Sequence, residues 1–268
     1  MVAHAKLKPI ARTLGGSNFE ESVSILRIDR SSHLRCAEAE AMTINETGFF
    51  RERNLFKCLR ETIIPRLIES NSAERKLWIW SAAASTGQEA YSLAILLREH
   101  FSSLVGWDVK IVGTDSSSQA IEYARRGYYG LLEVNRGLPA RMLVKYLTRE
   151  GENWVVAPKL RSMCEFRYAN LCAALPALPM FDLVLLRNVL LYFSSQDRKA
   201  VFRRVHRQMA ADGYLVLGAS EQAEDSTTLF QAEFAEQCYF YRPVAVPKGS
   251  QLLKVQLASN DCSSGDFL

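Results

Sequence analysis

Apolar residues recur along this chain in two rhythms, and the change comes near residue 77. Upstream, Leu55, Leu59, Ile63 and Leu67 fall at four-residue spacing within a charged stretch, the stripe of an amphipathic helix. Residues 21–76 therefore read as a helical N-terminal domain or linker. Pro65 is expected to kink or start a helix there, because its ring crowds the preceding turn and it has no N–H to donate. Downstream, short apolar runs alternate with helical stripes. Residues 77–80 suit a buried strand, and 89–100 carry Ala90, Leu93, Ala94 and Leu97 at helical spacing. A second strand is expected at 107–114, ending in Asp115, with a helix at 118–126. Residues 181–186 read as another buried strand, and 195–209 as a helix capped by Ser194 or Ser195. A strand at 214–217 should follow a turn at Asp212-Gly213, and 237–242 should form the last strand.

Strands alternating with helices predict an α/β fold with a parallel, doubly wound sheet across residues 77–243. Residues 146–169 interrupt the alternation. Trp154-Val155-Val156 and Glu165-Phe166-Arg167-Tyr168 read as short antiparallel strands of a small inserted β-subdomain. Residues 1–20 and 244–268 lack periodicity and read as flexible termini.

Composition narrows the picture modestly. A length of 268 residues allows one large domain, or a domain of roughly 200 residues with a small companion. The formal net charge of +4 is too small to indicate a nucleic-acid binder and is compatible with an acidic protein partner. Cys36, Cys58, Cys164, Cys172, Cys238 and Cys262 form no C-x-x-C pair and have no metal-spaced histidine, so they read as reduced thiols rather than metal ligands. No secretory leader and no apolar run of about 18 residues is seen, so a cytoplasmic protein without membrane insertion is expected.

Open α/β sheets bind ligands at the carboxyl ends of their strands. After the first strand comes Ser81-Ala82-Ala83-Ala84-Ser85-Thr86-Gly87, whose small side chains let a ligand approach the backbone. Glu89 follows in the first turn of the next helix, where it is either a capping residue or a ligand group. No G-x-G-x-x-G is present, so a pyrophosphate cradle is missing. A ligand without phosphates, such as S-adenosylmethionine, needs none, and its ammonium would pair with Glu89. Asp115 ends the second strand, where it either holds a ribose or caps the next helix. Arg187-Asn188 follows a fully apolar strand and must be hydrogen-bonded there, for function or as a structural bridge. Upstream, Thr43-x-x-Glu46 in the stretch 43–51 can be a capping box.

Taken together, these stretches resemble the chemotaxis receptor methyltransferases of the CheR family. The matching residues are Asn45-Glu46-Thr47-Gly48-Phe49-Phe50-Arg51, Ser81 to Ser92, Gly113-Thr114-Asp115, Asn170-Leu171, Phe181 to Phe193, Gly213-Tyr214-Leu215 and Gly218-Ala219-Ser220-Glu221. The family's usual Cys, Glu and Pro in the second of these blocks are Ala84, Gln88 and Ala90 here. The resemblance implies a class I S-adenosylmethionine-dependent methyltransferase core, a helical N-terminal domain and a small β-subdomain. It implies methyl transfer to glutamate side chains in the cytoplasmic signalling domain of chemoreceptors, with S-adenosylhomocysteine as product, no metal, and action as a monomer. Carried over by motif position, Asn45, Thr47, Arg51, Glu89, Asp115, Asn170, Leu171, Arg187 and Asn188 line the cofactor site. By the same carry-over Tyr192 lies near the transferred methyl; on mechanistic grounds Arg51 is expected to orient the incoming carboxylate. The Gly-rich loop of members that grip a receptor tail is not seen in 146–169, which favours a tail-independent type. Two rival readings remain: a cofactor-binding regulatory module without activity, and a methyltransferase with another acceptor. Arg198, Lys199, Arg203, Arg204 and Arg207 on the helix 195–209 would suit a nucleic acid, or simply form a solvated face.

Overall fold

The structure is a computed structural model, and it describes residues 47–223 and 228–245. Asn45, the Thr43–Glu46 capping box, the expected loose terminus 1–20 and most of the expected tail lie outside the described residues.

The first described helix, α1, is three consecutive stretches: α-helical Arg53–Cys58, π-helical Leu59–Ile63 and α-helical Ile64–Ser70. The wider π turn makes room for the Pro65 ring, which would otherwise meet the preceding turn of a continuous α-helix. Leu55, Leu59, Ile63 and Leu67 are all buried, as their spacing requires. Two strand–helix units follow, β1 Lys76–Ala82 with α2 Gln88–His100, then β2 Asp108–Asp115 with α3 Ser118–Arg126. The short elements β3 Tyr128–Gly130, α4 Leu131–Asn135, α5 Ala140–Tyr146, β4 Leu147–Glu150, β5 Asn153–Val156 and α6 Pro158–Arg161 come next. The chain then forms β6 Cys164–Tyr168, β7 Phe181–Leu186, α7 Ser195–Arg207, β8 Met209–Leu217, β9 Phe230–Ala235 and β10 Cys238–Pro243.

The main sheet has the order β6-β2-β1-β7-β8-β10-β9. Its first five strands are parallel, and β10 runs antiparallel to both of its neighbours, β8 and β9. Side chains alternate between its faces. Leu183 and Leu185 of β7 join the core shared with α1 and α2. Phe181, Val184 and Leu186 join a second core with Val201, Phe202 and Val205 of α7. With both faces covered, the run Leu183–Leu186 of β7 is apolar and fully buried, while Asp182 at the strand's start accepts from Trp78 N on β1.

Three expectations change. Glu165–Tyr168 is not part of an antiparallel insertion: β6 pairs parallel with β2 and forms the edge of the main sheet. The antiparallel β-subdomain instead has the order β3-β5-β4 and takes its first strand from Tyr128–Gly130. Asp212-Gly213 is an irregularity within β8 rather than a turn before it, with the register against β7 shifting between Phe181 and Leu183. Gly213 fits there because a Cβ would sit 2.9 Å from the Asp182 carbonyl oxygen.

Glu99 fastens the end of α2 to α5. Its carboxylate, mostly buried, receives Lys145 Nζ at 2.5 Å and the Tyr146 hydroxyl at 2.6 Å. The Lys145 ammonium, then the Tyr146 hydroxyl, hold its pKa below the ordinary carboxylate value. A depressed folded-state pKa contributes stability above the unfolded value of about 4.3 and loses it as pH falls through the folded value. Glu99→Gln is therefore expected to be less stable than the parent at neutral pH. The gap between their melting temperatures should close on acidification below about pH 4.

Candidate cofactor and methyl-transfer site

The expected site residues gather because their strands are neighbours. In the order β6-β2-β1-β7, Asn170 and Leu171 follow β6, Asp115 ends β2, Ser81–Gly87 closes β1, and Arg187-Asn188 follows β7. The loop after β1 is held by backbone bonds from Ala84 N to Thr114 O and from Gly87 N to Ala84 O. Ala83 (φ 65°) and Ser85 (φ 50°) both adopt the left-handed region, a strain of the kind held at ligand sites. Gly87 (φ 94°) admits no Cβ, which would lie 2.8 Å from Ala124 Cβ.

Asp115 ties the first two loops together. Its Oδ2 accepts from Ser85 N at 2.8 Å and its Oδ1 from Ser117 N at 2.9 Å. It is not the cap of α3: Ser117 fills that place, accepting from Ala120 N.

Glu89 does not cap α2 either. Its Oε1 accepts from Ser81 Oγ at 2.7 Å and its Oε2 from Arg187 Nη1 at 2.5 Å. Arg187, only 3% exposed, also donates through Nη2 to the Arg51 carbonyl at 2.8 Å and pairs with Glu52 Oε2 at 3.2 Å. Burial works against its charge, but Glu89 and Glu52 outweigh it, and its pKa is raised. Arg187 thus bridges β7, α2 and the segment before α1.

That segment is fixed from three directions. Phe50 N donates to Ser92 Oγ on α2 at 2.9 Å, and Phe49 is buried edge-on against Tyr129. The turn at Gly137 lies against the Phe49 carbonyl. Half-buried Thr47 and exposed Arg51 flank this anchored pair. Asn170 accepts from Cys172 N through Oδ1, and buried Leu171 offers its carbonyl to Arg204. Tyr192 lies in the 3-10 turn Leu190–Tyr192 just past Asn188 and is 60% exposed. Direct contacts therefore join Glu89, Arg187, Asn188 and the Arg51–Glu52 backbone, and separately Asp115 and the Ser85 loop; Asn170 and Leu171 follow the neighbouring strand β6.

Two carboxylates join these residues that were not among the expected site residues, Glu52 and Glu221, the latter within one of the matching stretches. Glu52 follows Arg51 at φ 66° and also accepts from Asn188 Nδ2 and Ala219 N. Glu221 accepts from the backbone of the Asn188 loop. Their only local signal was position, next to or within stretches that already stood out.

Among the described residues, two buried side-chain polar atoms lack a partner: Ser85 Oγ and Arg187 Nε. Each costs about 1–3 kcal/mol unless a ligand or water satisfies it. Both lie in this site. A neutral acceptor could use the Arg187 Nε–H, and a ligand hydroxyl or amine the Ser85 oxygen, so the residues present fit a polar nucleoside.

A model of the "CheR methyltransferase, SAM binding domain" matches residues 45–239. The chain belongs to the CheR methyltransferase family. It is 36% identical over 242 residues to chemotaxis protein methyltransferase 1 of Pseudomonas aeruginosa, covering 89% of this chain and 88% of that protein. Chemotaxis protein methyltransferase Cher2 of Pseudomonas putida is 37% identical over 221 residues, covering 81% and 80%. Chemotaxis protein methyltransferase 1 of Vibrio cholerae is 32% identical over 233 residues, covering 86% and 84%. As a CheR enzyme the chain is an S-adenosylmethionine-dependent methyltransferase of chemotaxis with a class I core. Open α/β sheets bind ligands outside the carboxyl ends of their strands, and the residues described above follow the ends of β6, β2, β1 and β7.

Proposed function

We propose that this CheR enzyme transfers a methyl group from S-adenosylmethionine to glutamate side chains in the cytoplasmic signalling domain of a chemoreceptor, forming glutamyl methyl esters. What carries the reading is the family match over residues 45–239 together with Glu89, Asp115 and Arg187-Asn188 gathered on neighbouring strand ends. Glu89 would face the cofactor's ammonium, since its two oxygens offer more acceptor sites than Ser81 and Arg187 use. Asp115 would face the ribose, with Asn45, Thr47, Arg51, Asn170, Leu171, Arg187 and Asn188 completing the lining. When bound, the cofactor supplies a methyl group on a sulfonium leaving group.

The acceptor carboxylate is already ionised at neutral pH, with an ordinary pKa of about 4.3, so no general base is required. Nor does the chemistry call for a metal. The protein's task is alignment and exclusion of water. The acceptor loses charge as the ester forms, so a tight cationic clamp would hold the ground state more than the transition state. A single orienting cation, Arg51, with Tyr192 as hydrogen-bond donor, meets that requirement. The two-residue β4–β5 turn, Gly151-Glu152, supports action without a docked receptor tail. A cytoplasmic location follows from where that receptor domain lies.

The geometry weakens the nucleic-acid alternative, which rests on the basic residues of α7. Of the basic residues on α7, Arg198 donates to the Phe193 carbonyl and Arg204 to the Leu171 carbonyl.

Arg51→Ala tests the assignment at residue level. Turnover on a receptor fragment is expected to fall by at least about tenfold. The melting temperature should move by no more than about 2 °C, because Arg51 is exposed. Turnover near that of the parent would remove Arg51 from the mechanism. Receptor fragments with the acceptor glutamates changed to alanine should take no label from methyl-labelled cofactor.

A further inference from the structure

Glu221 lies just beyond β8, in the Gly218–Glu221 turn, and is 7% exposed. Its carboxylate receives four backbone N–H groups. Oε2 accepts from Asn188 N at 2.6 Å and Gly218 N at 3.0 Å. Oε1 accepts from Val189 N and Leu190 N, each at 2.8 Å. Three of these donors are consecutive and open the turn that carries Arg187-Asn188 into Tyr192. The turn starts with Asn188 at φ 55°, a left-handed conformation that makes successive N–H groups converge on one anion. Gly218 makes room for the arrangement: a Cβ there would lie 2.7 Å from both Glu221 Oε2 and Asn188 Nδ2.

Glu52 completes it from the other side. Its Oε1 accepts from Asn188 Nδ2 at 3.2 Å, and its Oε2 from Ala219 N at 3.0 Å. A carboxylate only accepts, so the Asn188 amide must turn its NH2 to Glu52 and its oxygen the other way. The backbone donor and the side-chain donor of Asn188 are each committed to a different carboxylate.

We propose that Glu221 is a positioning residue for methyl transfer. It acts through the backbone of residues 188–190 and fixes both the Asn188 amide and the turn bearing Tyr192. The proposal rests on the reading that the loop 187–192 faces the reacting groups. A salt bridge would hold a side chain; this carboxylate instead sets the course of the main chain. The charge matters as well as the shape. In Glu221→Gln an NH2 replaces one oxygen, so it confronts either the Asn188 and Gly218 donors or the Val189 and Leu190 donors. Whichever way the amide turns, two of the four N–H groups lose their acceptor. Leu190, 2% exposed, still anchors the loop in the core beside α7, so the variant should fold.

The experiment compares full-length parent, Glu221→Gln and Glu221→Ala. It measures kcat and KM on a receptor cytoplasmic fragment, S-adenosylhomocysteine affinity and stoichiometry by calorimetry, and amide hydrogen exchange. For Glu221→Gln, kcat is expected to fall by about tenfold or more, with KM within about threefold of the parent and cofactor-product affinity falling by less than kcat, since Asn188 also lines the cofactor site. Glu221→Ala should fall further in the same direction. The amides of residues 188–190 should exchange faster in both variants while those of β1 and β7 keep their protection. A kcat for Glu221→Gln within about twofold of the parent overturns the proposal. So does a fall in kcat matched by an equal fall in binding stoichiometry, which marks a folding role, or by an equal fall in affinity, which marks a cofactor contact. If the parent itself methylates no receptor fragment, the functional reading fails separately; unchanged exchange at residues 188–190 in the variants would then overturn the positioning on its own.

Discussion

Replacing Arg187 with methionine is expected to destabilise the protein by about 3–5 kcal/mol, the cost of removing one side of a buried ion pair. Methionine fills much of the volume, so the effect isolates charge. Without the guanidinium, Glu89 loses its 2.5 Å partner and Glu52 its 3.2 Å partner, and the Arg51 carbonyl loses its donor. Two partly buried carboxylates, Glu89 and Glu52, are then left without the cation they share. At about 2–4 °C per kcal/mol for a domain of this size, the melting temperature should drop by roughly 6–20 °C. S-adenosylhomocysteine binding should fall with it, because Glu89 is the group expected to meet the ligand's ammonium. Arg187→Lys keeps the charge but not the fork, and should recover part of the stability and less of the binding. A melting temperature for Arg187→Met equal to that of the parent would mean that the pair is not a keystone of the site.

Gly137→Ala should be comparably severe, although Gly137 touches no expected ligand. Its φ is 99°, outside the range that L side chains adopt comfortably, and a Cβ would fall 2.0 Å from the Phe49 carbonyl oxygen. Backbone strain of this kind costs about 1–3 kcal/mol before any clash is relieved. Relief requires Phe49 to withdraw, and Phe49 holds the segment that carries Thr47 and Arg51. The variant is therefore expected to lose stability and cofactor affinity together, read by thermal melting and by calorimetry with S-adenosylhomocysteine. Gly151→Ala is the control. Gly151 has φ 61°, but a Cβ there would meet nothing within 4 Å, so the change should cost only about 1 kcal/mol and leave affinity unchanged.

Much of this architecture was legible because the sheet is buried on both sides. β1, β7 and the second half of β8 announced themselves as apolar runs, and α2 and α7 as helical stripes between strands. The sheet edges were less readable. In β6 the charged Glu165 and Arg167 alternate with Cys164 and Phe166, a pattern shared by a half-exposed hairpin strand. The parallel ladder with β2, from Ile111 opposite Cys164 to Asp115 opposite Tyr168, places the strand in the main sheet, and the Lys110–Glu165 pair accompanies it. β3 has three residues, too few to show a period, and the edge strand β9 mixes Gln231 and Glu233 with its aromatics. Its hairpin clasps α1 through Arg66 with Glu233 and Lys57 with Glu236, contacts that no local pattern encodes. The site shows the same division. Each strand end was visible as a cluster of small or polar residues after an apolar run. That Arg187 sits between Glu89 and Glu52 was not, because the partners are 98 and 135 positions away along the chain and meet only when the sheet closes. Glu221 was hidden for the same reason, its bonds going to backbone groups about thirty residues upstream.

The central claim is that this site esterifies receptor glutamates, and one measurement meets it directly. The full-length chain is incubated with S-adenosylmethionine and the cytoplasmic fragment of a chemoreceptor, and the fragment is digested and analysed by mass spectrometry. The account predicts peptides heavier by one methyl substitution, placed on glutamate side chains, reversed by mild alkali as an ester must be, and absent with Arg187→Met. A fragment that gains no methyl group, or one whose methyl survives alkali or sits on nitrogen instead of a carboxylate, would contradict it.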